Sequence, residues 1–337
     1  MSQYFFATLT RISDLVKHPF TVQVLPKQDW ATGDYVIGKV VPPVPPNCCV
    51  ELATGRMAGL LEGDQVVGAF GVRRATLEAV GDWQAIEADG RMQDMTEAGF
   101  FGRVTSQSFL LPALPTLTYQ GHVMRQGQKV RMQDFIPALF VRPYRCPTIM
   151  IIGTSMSAGK TTTAKVIIHQ LKQRGLKVIG TKLTGAGRYR DTLAMLDAGA
   201  DRIFDFVDVG LPSSVVDPED YRQLLRLLLT MITLENPDVV VAEAGASPYE
   251  PYNGSIVLEE IAPQICCTVL CASDPYAVIG VMQGFGIQPD FVSGTAASTT
   301  AGVDLVEKLA RVPALKLPAI ESLPKLMGIL NTKLGLN

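Results

Sequence analysis

An apolar run over residues 148–152 leads directly into Gly153-Thr154-Ser155-Met156-Ser157-Ala158-Gly159-Lys160-Thr161-Thr162, and a helical pattern follows. A buried strand, a glycine-bearing loop and a helix start in that order leave unpaired main-chain amides and the positive end of a helix dipole facing whatever the loop encloses. A phosphate group fits that description. Lys160 can reach the outer phosphates of a nucleotide as a point charge, and the Thr161 hydroxyl can complete the shell of a Mg²⁺ ion. In the usual spacing the first glycine stands where Thr154 does, and here Gly153 is one place earlier, so the loop is one residue longer than usual.

A strand, loop and helix of this kind belong to an α/β sheet, and the chain after Pro147 alternates accordingly. The helix after the loop shows Ala164, Ile167 and Leu171 at one-face spacing and is expected to stop at Gly175. Strands are expected over 177–183, 202–209, 238–242, 266–272 and near 290–293. Helices are expected over 191–198, 218–234, 255–261 and 275–284, with two more to finish the chain. The reading is a doubly wound, mostly parallel α/β domain over 146–337, of the P-loop NTPase type, with ligands at the carboxyl ends of its strands.

Residues 1–145 follow another pattern. Short apolar runs are separated by turn signals such as Gly33-Asp34 and Gly63-Asp64 and by the break Pro42-Pro43-Val44-Pro45-Pro46. Glycine pairs such as Gly68/Gly71 and Gly99/Gly102 suit bulges and tight corners. A β-rich domain, a small barrel or a sandwich, is expected there.

Composition narrows the partners. With 47% hydrophobic and 18% charged residues, the chain has enough apolar material for two cores. A formal charge of -2 and a pI near 6.0 offer no basic face, so nucleic acid is not an expected partner. Arg11, Asp14 and Lys17 interrupt the first twenty or so residues, and no long uninterrupted apolar stretch occurs. A soluble cytoplasmic protein without membrane association is the expectation. Cys48, Cys49, Cys146, Cys266, Cys267 and Cys271 lack metal-binding spacing, and His18, His122 and His169 are far apart.

Polar residues at the expected strand ends are the next candidates. Lys182 closes the second strand beside Gly185 and Gly187, where a lysine calls for a partner anion unless it reaches solvent. Arg188, Arg190 and Asp191 follow; Asp191 reads either as a helix cap or as support for Mg²⁺, and the arginines either as a solvated loop or as holders of an anionic substrate. Glu243 comes after four apolar residues, as a metal-holding acid opposite a phosphate loop would. Ser273-Asp274-Pro275 and Ser293-Gly294-Thr295 end later strands, where base or ribose contacts and ordinary turn chemistry are both open.

With these motifs in hand, residues 148–295 resemble the dethiobiotin synthetase type of P-loop enzyme. That family's loop also reads Gly-Thr-x-x-x-x-Gly-Lys-Thr, as Gly153 to Thr161 does; its second strand ends in Gly-x-Lys, similar to Gly180-Thr181-Lys182; and its later strand ends in Glu-Gly-Ala-Gly, similar to Glu243-Ala244-Gly245. The resemblance implies that Thr161, Asp191 and Glu243 hold Mg²⁺ and that Lys182 stabilises charge between the γ-phosphate and an acceptor carboxylate or carbamate. It also implies a possible homodimer. Asp191-Thr192 with Ala198-Gly199-Ala200 resembles, in addition, the accessory GTPase of molybdopterin dinucleotide synthesis. Residues 1–145 and Ser155, where the family has an acid, depart from the pattern, so substrate identity does not carry over.

The leading expectation is ATP- and Mg²⁺-dependent phosphoryl transfer to a small acidic metabolite, by a kinase or as the activating step of a ligase or cyclase, with Lys160 and Lys182 as catalytic residues. Residues Gly153 to Thr162 bind the nucleotide in this reading. No Asn-Lys-x-Asp motif occurs, which favours ATP over GTP. The alternative is an accessory NTPase or nucleotide switch acting on a protein partner or in cofactor delivery. Arg73, Arg74 and Glu78 are candidate substrate contacts from the N-terminal domain.

Overall fold

The computed structural model describes residues 4–245 and 247–336. The chain divides into two compact units. The first gathers Met1–Ala138, Ala186–Arg190 and Phe206–Val215; the second gathers Leu139–Gly185, Asp191–Asp205 and Val216–Asn337. The polypeptide therefore leaves the second unit twice, each time just beyond the carboxyl end of a strand.

The second unit is built from β1 (Thr148–Gly153), α1 (Lys160–Gln173), β2 (Val178–Thr184), α2 (Tyr189–Asp197), β3 (Arg202–Asp205), α3 (Pro218–Leu234), β4 (Val239–Ala244), α4 (Gly254–Ile261), β5 (Ile265–Cys271), α5 (Pro275–Phe285), β6 (Phe291–Ser293), α6 (Thr300–Ala310) and α7 (Leu323–Leu334). Its six strands lie in the order β3-β2-β4-β1-β5-β6, and all neighbours are parallel. Every residue of β1, β2 and β4 is buried, which is why β1 and β4 read as near-continuous apolar runs and not as alternating ones. Ile149, Ile151, Val241 and Val269 of the strands pack with Ala164, Ile167, Ile168 and Leu171 of α1 in one core. The unit is a parallel α/β sheet in which a glycine-bearing loop joins β1 to α1.

Helix starts follow local chemistry. Asp217 caps α3 by accepting from the amides of Glu219 and Asp220, and Pro218 occupies the first turn, where its missing amide costs nothing. Asp274 caps α5 in the same way through Tyr276 and Ala277. No side chain caps α1, which begins after Gly159 at φ 95°, so its first amides face into the loop.

The expected strand over 202–209 ends at Asp205. Phe206–Val209 form a 3-10 turn whose Phe206, Val207 and Val209 are buried, within the segment that belongs to the first unit. A short apolar run reads alike as a buried strand or a buried turn.

The first unit contains a closed barrel. Strands Gln65–Phe70, Tyr35–Val40, Thr116–Arg125, Arg91–Asp94 and Phe100–Gln107 pair antiparallel in that order. A parallel seam, Phe100 opposite Ala69 and Phe101 opposite Phe70, joins the last strand to the first. The glycine pairs lie at this seam: a Cβ on Gly68 would collide with the Gly99 carbonyl, and Gly99 itself adopts φ 74°. Asp94 holds the preceding turn by accepting from the amides of Gly99 (2.9 Å), Phe100 (3.1 Å) and Thr96 (3.3 Å). Arg73 is buried, bonded to Glu78 and the Met95 carbonyl, which gives it a structural role in this unit. No helix among the described residues is long and apolar enough to cross a membrane.

Candidate functional site

The site lies at the carboxyl ends of β1, β2, β4 and β5. Because β1 sits between β4 and β5, Ile151 stands opposite Glu243 and Gly153 opposite Cys271. The loop after β1 is anchored at its start: the Thr154 amide donates to the Cys271 carbonyl (3.1 Å) and the Ser273 amide to the Thr154 hydroxyl (3.0 Å). At its far end the Thr295 amide donates to the Ala158 carbonyl (3.3 Å).

Two glycines show why the loop has its spelling. A Cβ on Gly153 would lie 2.8 Å from Lys160 Cδ, and one on Gly159 would lie 2.8 Å from the Gly294 Cα. Gly153 thus makes room for the lysine that follows seven positions later. Lys160 is buried, and its ammonium donates to the Ser155 carbonyl at 2.6 Å. Ser155 is buried, Met156 half-buried and Ser157 exposed at φ 65°, while Ala158 is buried and Thr162 exposed.

Around the loop the candidate residues converge. The Thr161 hydroxyl donates to the Glu243 carboxylate at 3.0 Å. Lys182 Nζ donates to Asp191 Oδ2 at 2.6 Å, with the lysine side chain 7% exposed and the aspartate 26%. Burial pulls the Lys160 ammonium below the ordinary lysine range, and the Glu243 carboxylate opposes that pull. Burial pushes Glu243 above the usual carboxylate range, against the pull of Lys160 and Lys182. These are the opposed shifts expected of charges held out of water in one cluster. Lys182 reaches across the strand ends between two glycines: added Cβ atoms on Gly185 and Gly245 would lie 3.1 Å and 2.7 Å from its Cε.

Arg188 and Arg190 belong to the segment that folds with the first unit, and Arg190 pairs with Glu97 at 3.0 Å. Ser293 is buried and donates to the Leu315 carbonyl (3.0 Å). Asp274 is a helix cap, as turn chemistry would have it. Sequence reasoning passed over Glu250, a buried acid in the loop after β4 that accepts from the Ser247 amide (2.8 Å). Its position after Glu243 was the available signal.

The donors present suit a hard cation. A threonine hydroxyl and a carboxylate meet at 3.0 Å, and no group of three or more His, Cys, Asp or Glu that could hold a metal occurs among the described residues. Mg²⁺ is bound in that style, by one or two carboxylates together with substrate phosphates and water. Thr161 and Glu243 fit it.

No family model matches the chain, and no curated protein matches it. Among solved structures it is similar to the signal recognition particle receptor FtsY from Elizabethkingia anophelis, at 17% identity and TM-score 0.34, over 51% of this chain and 57% of that one. Chloroplast FtsY from Physcomitrella patens matches at 15% identity and TM-score 0.37, over 57% and 66%. FtsY from Thermotoga maritima matches at 13% and 0.36, over 57% and 69%. The chain thus spans 57% of the length of the first of these structures, and likeness at this level carries no argument about activity. None of the three is a dethiobiotin synthetase; that resemblance rests on its motifs alone.

Proposed function

We propose that the second unit is a Mg²⁺-dependent nucleoside triphosphatase and that the chain works as an accessory NTPase or nucleotide switch. The observation that carries hydrolysis is the meeting of the Thr161 hydroxyl with the Glu243 carboxylate beside the loop lysine. In this reading residues 153–162 hold the phosphates, with Lys160 as their main charge. Thr161, Asp191 and Glu243 hold Mg²⁺, which when bound neutralises charge on the phosphoryl oxygens. Lys160 and Lys182 stand against Asp191, Glu243 and Glu250, so these side chains offer no excess of positive charge and an incoming polyphosphate has to bring its own cation. ATP is the proposed nucleotide, because no guanine-reading Asn-Lys-x-Asp is present.

The switch reading draws support from chain connectivity. Between Lys182 and Asp191 the chain passes through Ala186–Arg190, which folds with the first unit. A change at the two ends of that segment therefore has a direct covalent route out of the nucleotide unit.

A second reading, phosphoryl transfer to a small acidic metabolite in the dethiobiotin synthetase manner, is favoured by Lys182, a second buried lysine at the site. It would stabilise charge between donor and acceptor. The six free thiols suit a reducing cytoplasm, and a homodimer is proposed on the resemblance alone.

Phosphate release from ATP and from GTP, measured first alone and then with a panel of carboxylated and amino-acid metabolites, separates the readings. Turnover indifferent to every small molecule supports the switch. Acceptor-dependent turnover with a phosphorylated product replaces it by the kinase or ligase.

A further inference from the structure

The helix that carries Asp191 is capped by residues distant in the chain. α2 opens at Tyr189, and the first amides of any helix lack partners inside it. One carboxylate takes two of them: Glu51 accepts from the Tyr189 amide at 2.9 Å and from the Arg190 amide at 2.5 Å. Glu51 is 1% exposed and ends the strand Cys49–Glu51, where its own amide donates to the Glu97 carbonyl at 2.6 Å. Glu97, at φ 66°, pairs through its side chain with the Arg190 guanidinium at 3.0 Å. Two acids thus clamp Tyr189 and Arg190, one by the main chain and one by the side chain, within the first unit. A carboxylate is well suited to this, since it faces the positive end of the helix dipole.

The next residue is Asp191, whose carboxylate meets Lys182 at 2.6 Å. We propose that Glu51 is a positioning residue: by fixing the first turn of α2 it sets where Asp191 stands toward Lys182, and through them the rate of the nucleotide reaction. In this role it acts through Asp191 and not directly on nucleotide or metal. The inference rests on the roles proposed above for Asp191 and Lys182.

The test uses the full chain and three readouts: ATP affinity, turnover, and the Mg²⁺ concentration for half-maximal turnover. Glu51→Gln keeps the shape of the side chain but turns one acceptor into a donor facing an amide, whereas Glu51→Asp keeps both acceptors on a shorter stem. Glu51→Gln is expected to lower kcat about tenfold or more, because small misplacements of reacting groups are costly, and to raise the Mg²⁺ midpoint while ATP affinity stays within about twofold. Glu51→Asp is expected to recover part of the loss. A Glu51→Gln protein with a lower melting temperature but unchanged kcat and Mg²⁺ midpoint would make Glu51 a structural cap and overturn the positioning role alone. A wild-type chain without Mg²⁺-dependent turnover would overturn that role together with the reading beneath it. If Glu51→Gln does not fold, Glu51→Asp decides: a shifted Mg²⁺ midpoint supports the role, and an unshifted one ends it.

Discussion

The Thr161 hydroxyl and the Glu243 carboxylate, 82 residues apart in sequence, meet at 3.0 Å. One belongs to the first turn of α1 and the other to the end of β4, and the adjacency of β1 and β4 brings them together. The start of the helix after the glycine-bearing loop and the acid of β4 thus face one another at the strand ends.

Lys182→Ala separates binding from chemistry. Loss of a charged donor aimed at developing charge costs about 100-fold or more in rate, so turnover should collapse while ATP affinity falls only modestly. Parallel equilibrium binding and single-turnover assays read both, and unchanged turnover would remove Lys182 from the reaction.

Gly294→Ala should damage the loop from behind. An added Cβ would run into the Ala158 carbonyl, and the residue sits at φ 80°. Overpacking of this kind costs about 1–3 kcal/mol, so ATP affinity should fall by about tenfold, as titration calorimetry would record.

Gly68→Ala should strike the barrel instead. Its Cβ would meet the Gly99 carbonyl and lie 2.7 Å from the Phe101 ring at the closing seam, with a loss of about 1–3 kcal/mol or more. Urea unfolding followed through the tryptophans, Trp30 and Trp83, both in the first unit, reports it.

Asp94 gives the barrel a pH dependence. Burial raises its carboxyl from 3.8 to about 6, against three amide hydrogen bonds that lower it. The folded chain therefore holds this proton more tightly than the unfolded chain does. The stability tied to it is complete below 3.8 and is lost as pH rises through about 6, on the order of 2–3 kcal/mol. Asp94→Asn should flatten that slope in urea midpoints measured across the window; an unchanged slope would assign it to other groups.

Much of the second unit is legible because its signals are local. Pro218–Leu234 coincides with the expected helix, since Asp217 and Pro218 mark its start. Lys182 and Glu243 stand out as charged residues near expected strand ends, and both lie near the carboxyl ends of buried strands. The barrel seam was not legible, because it depends on a parallel pairing of Ala69 with Phe100 that no turn announces. The grip of Glu51 on Tyr189 spans 138 residues, and nothing at either end of that contact distinguishes it in sequence. The pairing of Arg190 with Glu97 is equally remote in sequence.

The central claim is that Thr161 and Glu243 frame a Mg²⁺-nucleotide site. Titrating Mg²⁺ into the wild-type protein and Glu243→Gln at saturating ATP, with phosphate release as the readout, tests it most directly. The account predicts Mg²⁺-dependent turnover in the wild type and a loss of about 100-fold or more in the variant, with ATP still bound. Equal turnover in the two proteins, or turnover indifferent to Mg²⁺, would contradict it.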